Sequence, residues 1–213
     1  ESPPQAETVH FTFPERIADP SMKIKLPEVK LTWYDGGIKP ARPAQMPEQF
    51  VMGDSGGGTM FIGTKDILVA GVYSSNPKLV SGRVPNSPKV LPRVKEGLNH
   101  ETDWVRACKE NPTSRIQTSS NFAVSGPFNE IVVMGVLAVR LQGLNRELIW
   151  DGPSMQFTNI KDTDEFNVIT TNQFAMVDGK PKWNTQRIKL NAQQAAQEYI
   201  RRTYREGWKL PTL

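Results

Sequence analysis

Residues 91–141 read LPRVKEGLNHETDWVRACKENPTSRIQTSSNFAVSGPFNEIVVMGVLAVRL, and this stretch decides the fold. Asn99 suits the N-cap of a helix that must stop before Pro112, because the residue preceding a proline is pushed out of the helical region. A polar loop follows. Gly126-Pro127 then reads as the start of a second helix, with proline at the first helical position, where its missing N–H costs nothing. Glu130 falls in the first turn of that helix, where the dipole favours negative charge. Ile131, Val132, Val133, Met134, Val136, Leu137 and Val139 cover nearly its whole circumference, a pattern that predicts a largely buried helix. Gly135 in its middle points to close approach of a neighbour, and Gly143 reads as its C-cap. On the first helix, Trp104, Val105 and Cys108 form the stripe expected to face the core, with Cys108 as a small core residue.

Working outward, period-two alternation marks strands at Glu7 to Phe13 and Val29 to Tyr34. Val9, Phe11 and Phe13 share one face of the first. Val29, Leu31 and Trp33 share one face of the second, which places Trp33 in the core. Thr59 to Ile62 and Ile67 to Tyr73 flank Gly63-Thr64-Lys65-Asp66, a hairpin pattern. Prolines at 77, 85, 88 and 92 rule out a helix from Ser74 to Pro92. Leu148 to Trp150, Met155 to Thr158, Phe166 to Thr171 and Phe174 to Val177 read as further strands, the last ending in the turn Asp178-Gly179. A third helix is expected from about Asn191 to Arg205, with Asn191 and Gln194 at capping-box spacing and Gly207 after its end. Strands and helices that do not alternate strictly predict an α+β, two-layer domain: an open, mainly antiparallel sheet with helices packed on one face. The 213 residues are expected to form one domain.

Composition excludes several classes. Hydrophobic residues at 38% and charged residues at 23% suit a globular chain rather than a disordered one. The net charge of +4 is dispersed, and its tightest cluster, Arg201, Arg202 and Arg205, falls near a helix end where cations suit the dipole. No nucleic-acid partner is expected. The single cysteine excludes an intrachain disulfide and a thiolate metal site. The apolar run Ile131 to Val139 is short of the roughly 20 residues a membrane span needs, so no membrane partner is expected. The compartment stays open, cytoplasmic or periplasmic for a soluble chain.

Four motifs, LTWYDGG at 31–37, H-E-T-D-W-V-R-A-C-K at 100–109, SNFAVSGPFNE at 120–130 and YREGW at 204–208, carry a resemblance. Together they resemble the C-terminal domain of the glucose–fructose oxidoreductase / inositol dehydrogenase (Gfo/Idh/MocA) family, in its bacterial members. Asp103 stands where the family pattern has Glu. The resemblance covers most of the chain and specifies the family better than the substrate. It implies an open, mainly antiparallel sheet with helices on one face, serving substrate binding and oligomerisation. The parent protein it implies is an NAD(P)-dependent oxidoreductase acting on a sugar, sugar derivative or cyclitol. Its chemistry would be hydride exchange at a carbinol carbon, or a transient 3-keto step as in NAD-dependent glycosidases of the family. The nucleotide-binding domain, the E-K-P lysine and the acid–base helix of the family have no counterpart here. The chain by itself is therefore expected to hold no cofactor, with NAD or NADP bound in the parent, and not to catalyse. Residues 160–190 stand where family members pass almost directly into the last helix, and read as an insertion.

Candidate ligand residues are polar or aromatic groups near strand ends, helix starts or loops: Tyr34, Asp35, Tyr73, Arg93, His100 and Asn121. Aromatic rings offer apolar faces to sugar C–H groups, and Asp, Arg and Asn direct hydrogen bonds to hydroxyls. A structural reading stands beside each: Asp35-Gly36-Gly37 suits a turn, Arg93 a local carboxylate, His100 a helix start. His10 reads as an outward strand residue. Asp54-Ser55-Gly56-Gly57-Gly58, the only glycine run, precedes a hairpin rather than a helix and reads as a loop, not a pyrophosphate cradle. The expected partners are a sugar-like small molecule, the chain's own nucleotide-binding domain and a second copy meeting it through the sheet. The alternative function is a non-catalytic interaction domain whose exposed sheet assembles subunits.

Overall fold

The computed structural model describes residues 3–16, 27–84, 99–201, 203–209 and 211. It is an α+β structure in which every strand pairing is antiparallel. The chain divides into two compact units, one of residues 1–38 with 120–213 and one of residues 39–119.

The first unit begins with β1 (Glu7–Phe13) and β2 (Val29–Asp35). Their register opposes Val9 to Trp33, Phe11 to Leu31 and Phe13 to Val29, so the two apolar stripes share a face. On the other face His10 meets Thr32, 3.1 Å from Nδ1 to Oγ1. Val9 is buried, but Trp33 is 56% exposed, not in the core. On the same face Val9 is buried and the Phe11 ring lies near Gly135 of the helix that follows, so among the described residues the cover reaches β1 more than the Trp33 end of β2.

Helix α2 (Phe122–Arg140) starts upstream of Gly126-Pro127. Asn121 is its N-cap, accepting the Ala123 N–H at 3.0 Å, and the Ser125 hydroxyl donates to the Ser120 carbonyl. Those contacts at residues 120–125 complete an earlier first turn, so Pro127 falls inside the helix. The helix is also not largely buried. Leu137 is its one buried residue, while Val132, Val133 and Val136 are each more than half exposed. Gly135 does approach a neighbour, since a Cβ there would lie 3.6 Å from the Phe11 ring. By length and composition α2 suffices to cross a membrane, a property the shorter apolar run did not suggest. Leu141 ends it, and Gly143 sits in a following single turn at Gln142–Leu144.

Strands β6 (Trp150–Asp151) and β7 (Gln156–Phe157) form a short hairpin. Strands β8 (Glu165–Val177) and β9 (Lys180–Asn191) form a long one, turned by Asp178-Gly179 with φ of 52° and 74°, as a two-residue hairpin loop requires. β9 escapes sequence reading because its lysines and polar residues mask the alternation. Asn191 caps α3 (Ala192–Ile200) by accepting the Gln194 N–H, and the helix stops before Arg205. The core gathers where these meet: Leu141, Ile160, Phe166, Ala192, Ala195 and Ala196 are buried together. Burying each large member contributes about 1.5–3 kcal/mol.

The second unit holds β3 (Thr59–Ile62), β4 (Ile67–Ala70) and β5 (Lys78–Leu79) in one sheet, order β3-β4-β5. Met46, Ile67 and Val69 are its buried core. Helix α1 (His100–Lys109) follows, with the Asn99 side chain and Thr102 forming a reciprocal capping box. Its inner residues are Asp103 and Ala107, whereas Trp104, Val105 and Cys108 are exposed. The expected stripe is displaced because Asp103 turns inward. It accepts from Arg106 at 2.9 Å and from the Ser119 N–H at 3.1 Å, pinning residues 110–119 to the helix.

The described strands thus belong to four sheets of two or three strands rather than one continuous sheet.

Candidate functional site

The second unit carries a cleft of about 430 Å³, within the range of small-molecule sites. Its apolar wall is Phe50, Val51, Val69 and Ala70; its polar groups are Gln49, Asp54, Ser75, Asn76 and Lys78. The sequence builds it from β4, β5 and two loops that Asp54 ties together. The Asp54 carboxylate accepts the N–H of Gly56 at 2.9 Å and of Val72 at 2.9 Å, with the Ser75 hydroxyl at 3.4 Å. Those donors, Gly56 first and then Val72, hold its carboxyl below the usual carboxylate range. A carboxylate so engaged positions loops and is poorly suited to take up a proton.

Opposite the glycine run the backbone is strained. Tyr73, Ser74 and Asn76 have φ of 56°, 56° and 47°, in the left-handed region that side-chain-bearing residues seldom occupy. At Gly71 a Cβ would stand 2.2 Å from the Asp54 carboxylate, so only glycine admits this contact. Strand β4 therefore ends at Ala70 instead of continuing to Tyr73.

The residues expected to bind ligand lie as follows. Tyr34 and Asp35 end β2 in the first unit; Asp35 accepts the Gly36 N–H at 2.6 Å, a turn-forming contact. Asn121 caps α2 in the same unit. Tyr73 stands fully exposed on the strained turn beside the cleft, and does not line it. His100 opens α1, its Nδ1 3.4 Å from the Ser119 hydroxyl. Arg93 lies outside the described residues. Gln49, Asn76 and Lys78, which do line the cleft, were not among the candidates. For Asn76 and the neighbouring Lys78 the sequence signal is Gly71-Val-Tyr-Ser-Ser-Asn76, a strand-like start broken by turn formers; Gln49 carries none.

In comparisons with known proteins, no family model and no curated protein matches this chain.

Amide, hydroxyl and ammonium groups over an apolar wall can hold a molecule with several hydroxyls and one apolar face. A dinucleotide does not fit the glycine run: Gly56, Gly57 and Gly58 lead into the hairpin of β3 and β4, with no helix N-terminus to receive pyrophosphate. Among the described residues no group of three or more His, Cys, Asp and Glu could hold a metal ion.

Proposed function

We propose that the chain is the substrate-binding and oligomerisation part of an NAD(P)-dependent oxidoreductase acting on a sugar, sugar derivative or cyclitol, and is not catalytic by itself. Two things support this reading: the motif resemblance to the Gfo/Idh/MocA C-terminal domain, and a cleft whose groups suit a polyol. The cleft carries the structural side. Asn76 and Lys78 are among the lining residues that carry hydrogen-bond donors, and Phe50 and Val51 among the apolar ones that suit ring C–H groups. Its test is saturation-transfer NMR with glucose, a glucoside and myo-inositol at millimolar concentration. Signal that disappears in Asn76→Ala and Lys78→Ala is expected; no signal from any of the three overturns the reading. NAD(H) and NADP(H) should not bind the chain alone more tightly than about 100 μM, roughly 5.5 kcal/mol, by calorimetry.

The second reading, an interaction domain without catalysis, is favoured by α2. An apolar helix with only Leu137 buried leaves an uncovered surface of the kind that marks an interface. Retained assembly with no small-molecule binding would select it.

A further inference from the structure

The hairpin of β8 and β9 is two strands only, so each has an unpaired edge among the described residues. A lone ribbon of this length is marginal in water. Near its base, Phe166 and Val168 oppose Leu190 and Ile188; Phe166 is part of the first unit's core, and Val168 and Leu190 pack against it. A bulge between Ile169 and Thr171 then shifts the register by one residue. Paired residues share a face, so beyond the bulge the apolar residues change sides. Phe174 opposes Trp183, and with Met176 and Ile169 they lie on the face opposite Phe166. Phe174, Met176 and Trp183 are 54%, 59% and 60% exposed, and the two rings meet edge to face at 5.2 Å.

The two edges differ in charge. β9 carries Lys180, Lys182, Arg187 and Lys189 and no acidic residue; of β8 only Glu165, at its base, is charged. Lysines on an edge oppose strand addition, and an uncharged edge invites it. We propose that β8 pairs with β8 of a second copy of this chain, antiparallel about a two-fold axis at Phe174. Phe174 then faces Phe174 of the second copy, Asn172 faces Met176, and Gln173 faces Ala175. The order becomes β9-β8-β8-β9, with an unbroken aromatic row Trp183, Phe174, Phe174, Trp183 on one face. The partner is a second copy because this geometry separates the cations. Strands lie about 4.8 Å apart, so the two β9 strands stand about 14 Å apart, beyond a Debye length of about 8 Å. Self-pairing through β9 would instead bring two cation-bearing edges side by side, one strand spacing of about 5 Å apart. The proposal deepens the assembly half of the function proposed above and rests on it; the substrate is not involved.

The test is sedimentation equilibrium of the full chain at micromolar concentration, with disulfide trapping. The wild-type chain should sediment at twice its 23.9 kDa mass. Phe174→Lys should weaken the dimer by at least about tenfold, the equivalent of about 1.4 kcal/mol, while Lys182→Glu on the outer strand leaves it intact. In a Cys108→Ser background, Phe174→Cys should form a disulfide-linked dimer on oxidation, and Thr185→Cys should not. Directly opposed residues lie within disulfide reach, so trapping decides the matter even if Phe174→Lys disturbs folding. A wild-type dimer that neither Phe174→Lys weakens nor Phe174→Cys traps overturns the β8 pairing and leaves assembly standing. A wild-type monomer overturns both, leaving the edge to a strand of another protein.

Discussion

The Trp150 indole N–H donates to the Glu130 carboxylate at 2.6 Å, joining α2 to the hairpin of β6 and β7. Both residues are half-buried, and Phe157 packs edge-on against the same indole at 5.1 Å. Glu130→Ala leaves the N–H without its acceptor and is expected to cost about 1–3 kcal/mol, while Glu130→Gln, which keeps an acceptor, costs less. Urea melts distinguish the two. Equal stability of all three proteins would mean that water replaces the carboxylate freely.

Leu137 is the anchor of α2, 5% exposed between otherwise open positions. Leu137→Ala should cost about 2–5 kcal/mol, the range for truncating a buried leucine. Val133→Ala, more than half exposed, should cost under about 1 kcal/mol in the monomer. Comparable losses at both positions would show α2 covered on a second side in solution.

Two glycines should respond with opposite signs. At Gly135 an added methyl meets Phe11 at ordinary contact distance, so Gly135→Ala should stabilise by about 0.5–1 kcal/mol through helix propensity. At Gly143 a Cβ would stand 3.0 Å from the Phe166 ring, inside the core, and Gly143→Ala should lower the melting temperature. Thermal melts of the pair check this; a destabilised Gly135→Ala would mean that Phe11 cannot yield.

Acid should loosen the second unit through Asp103. The Ser119 N–H, and then Arg106, hold its carboxyl below the ordinary value. A depressed folded-state pKa contributes stability above the unfolded value, about 3.9, and loses it as pH falls through the folded value. Asp103→Asn should therefore lower the melting temperature markedly at pH 6 and by less at pH 3. A loss independent of pH would assign Asp103 a role of shape, not charge.

Local chemistry made much of this chain legible. Alternation in Val9-His10-Phe11 and Leu31-Thr32-Trp33 predicts which faces pair, and the register of β1 and β2 follows it. Asn99 and Asn191 act as caps because an Asn side chain reaches the N–H three residues on, whatever surrounds it. Asp178-Gly179 turns the long hairpin because both residues tolerate positive φ. Burial was a different matter. Trp33, Trp104 and Cys108 carry the right pattern for a core and are exposed, since a pattern shows which residues share a face and not whether another layer covers it. The helix start at Phe122 rather than Pro127 depends on the side chains of Asn121 and Ser125 closing on the turn before it. The cleft of Gln49, Asn76 and Lys78 needs Asp54 to draw together loops 18 residues apart. Likewise one extra residue in β8 carries Phe174 from the core face to the open one. Periods and caps act within a few residues and can be read from the chain; coverage, loop closure and register arise between distant segments, and only the tertiary structure decides them.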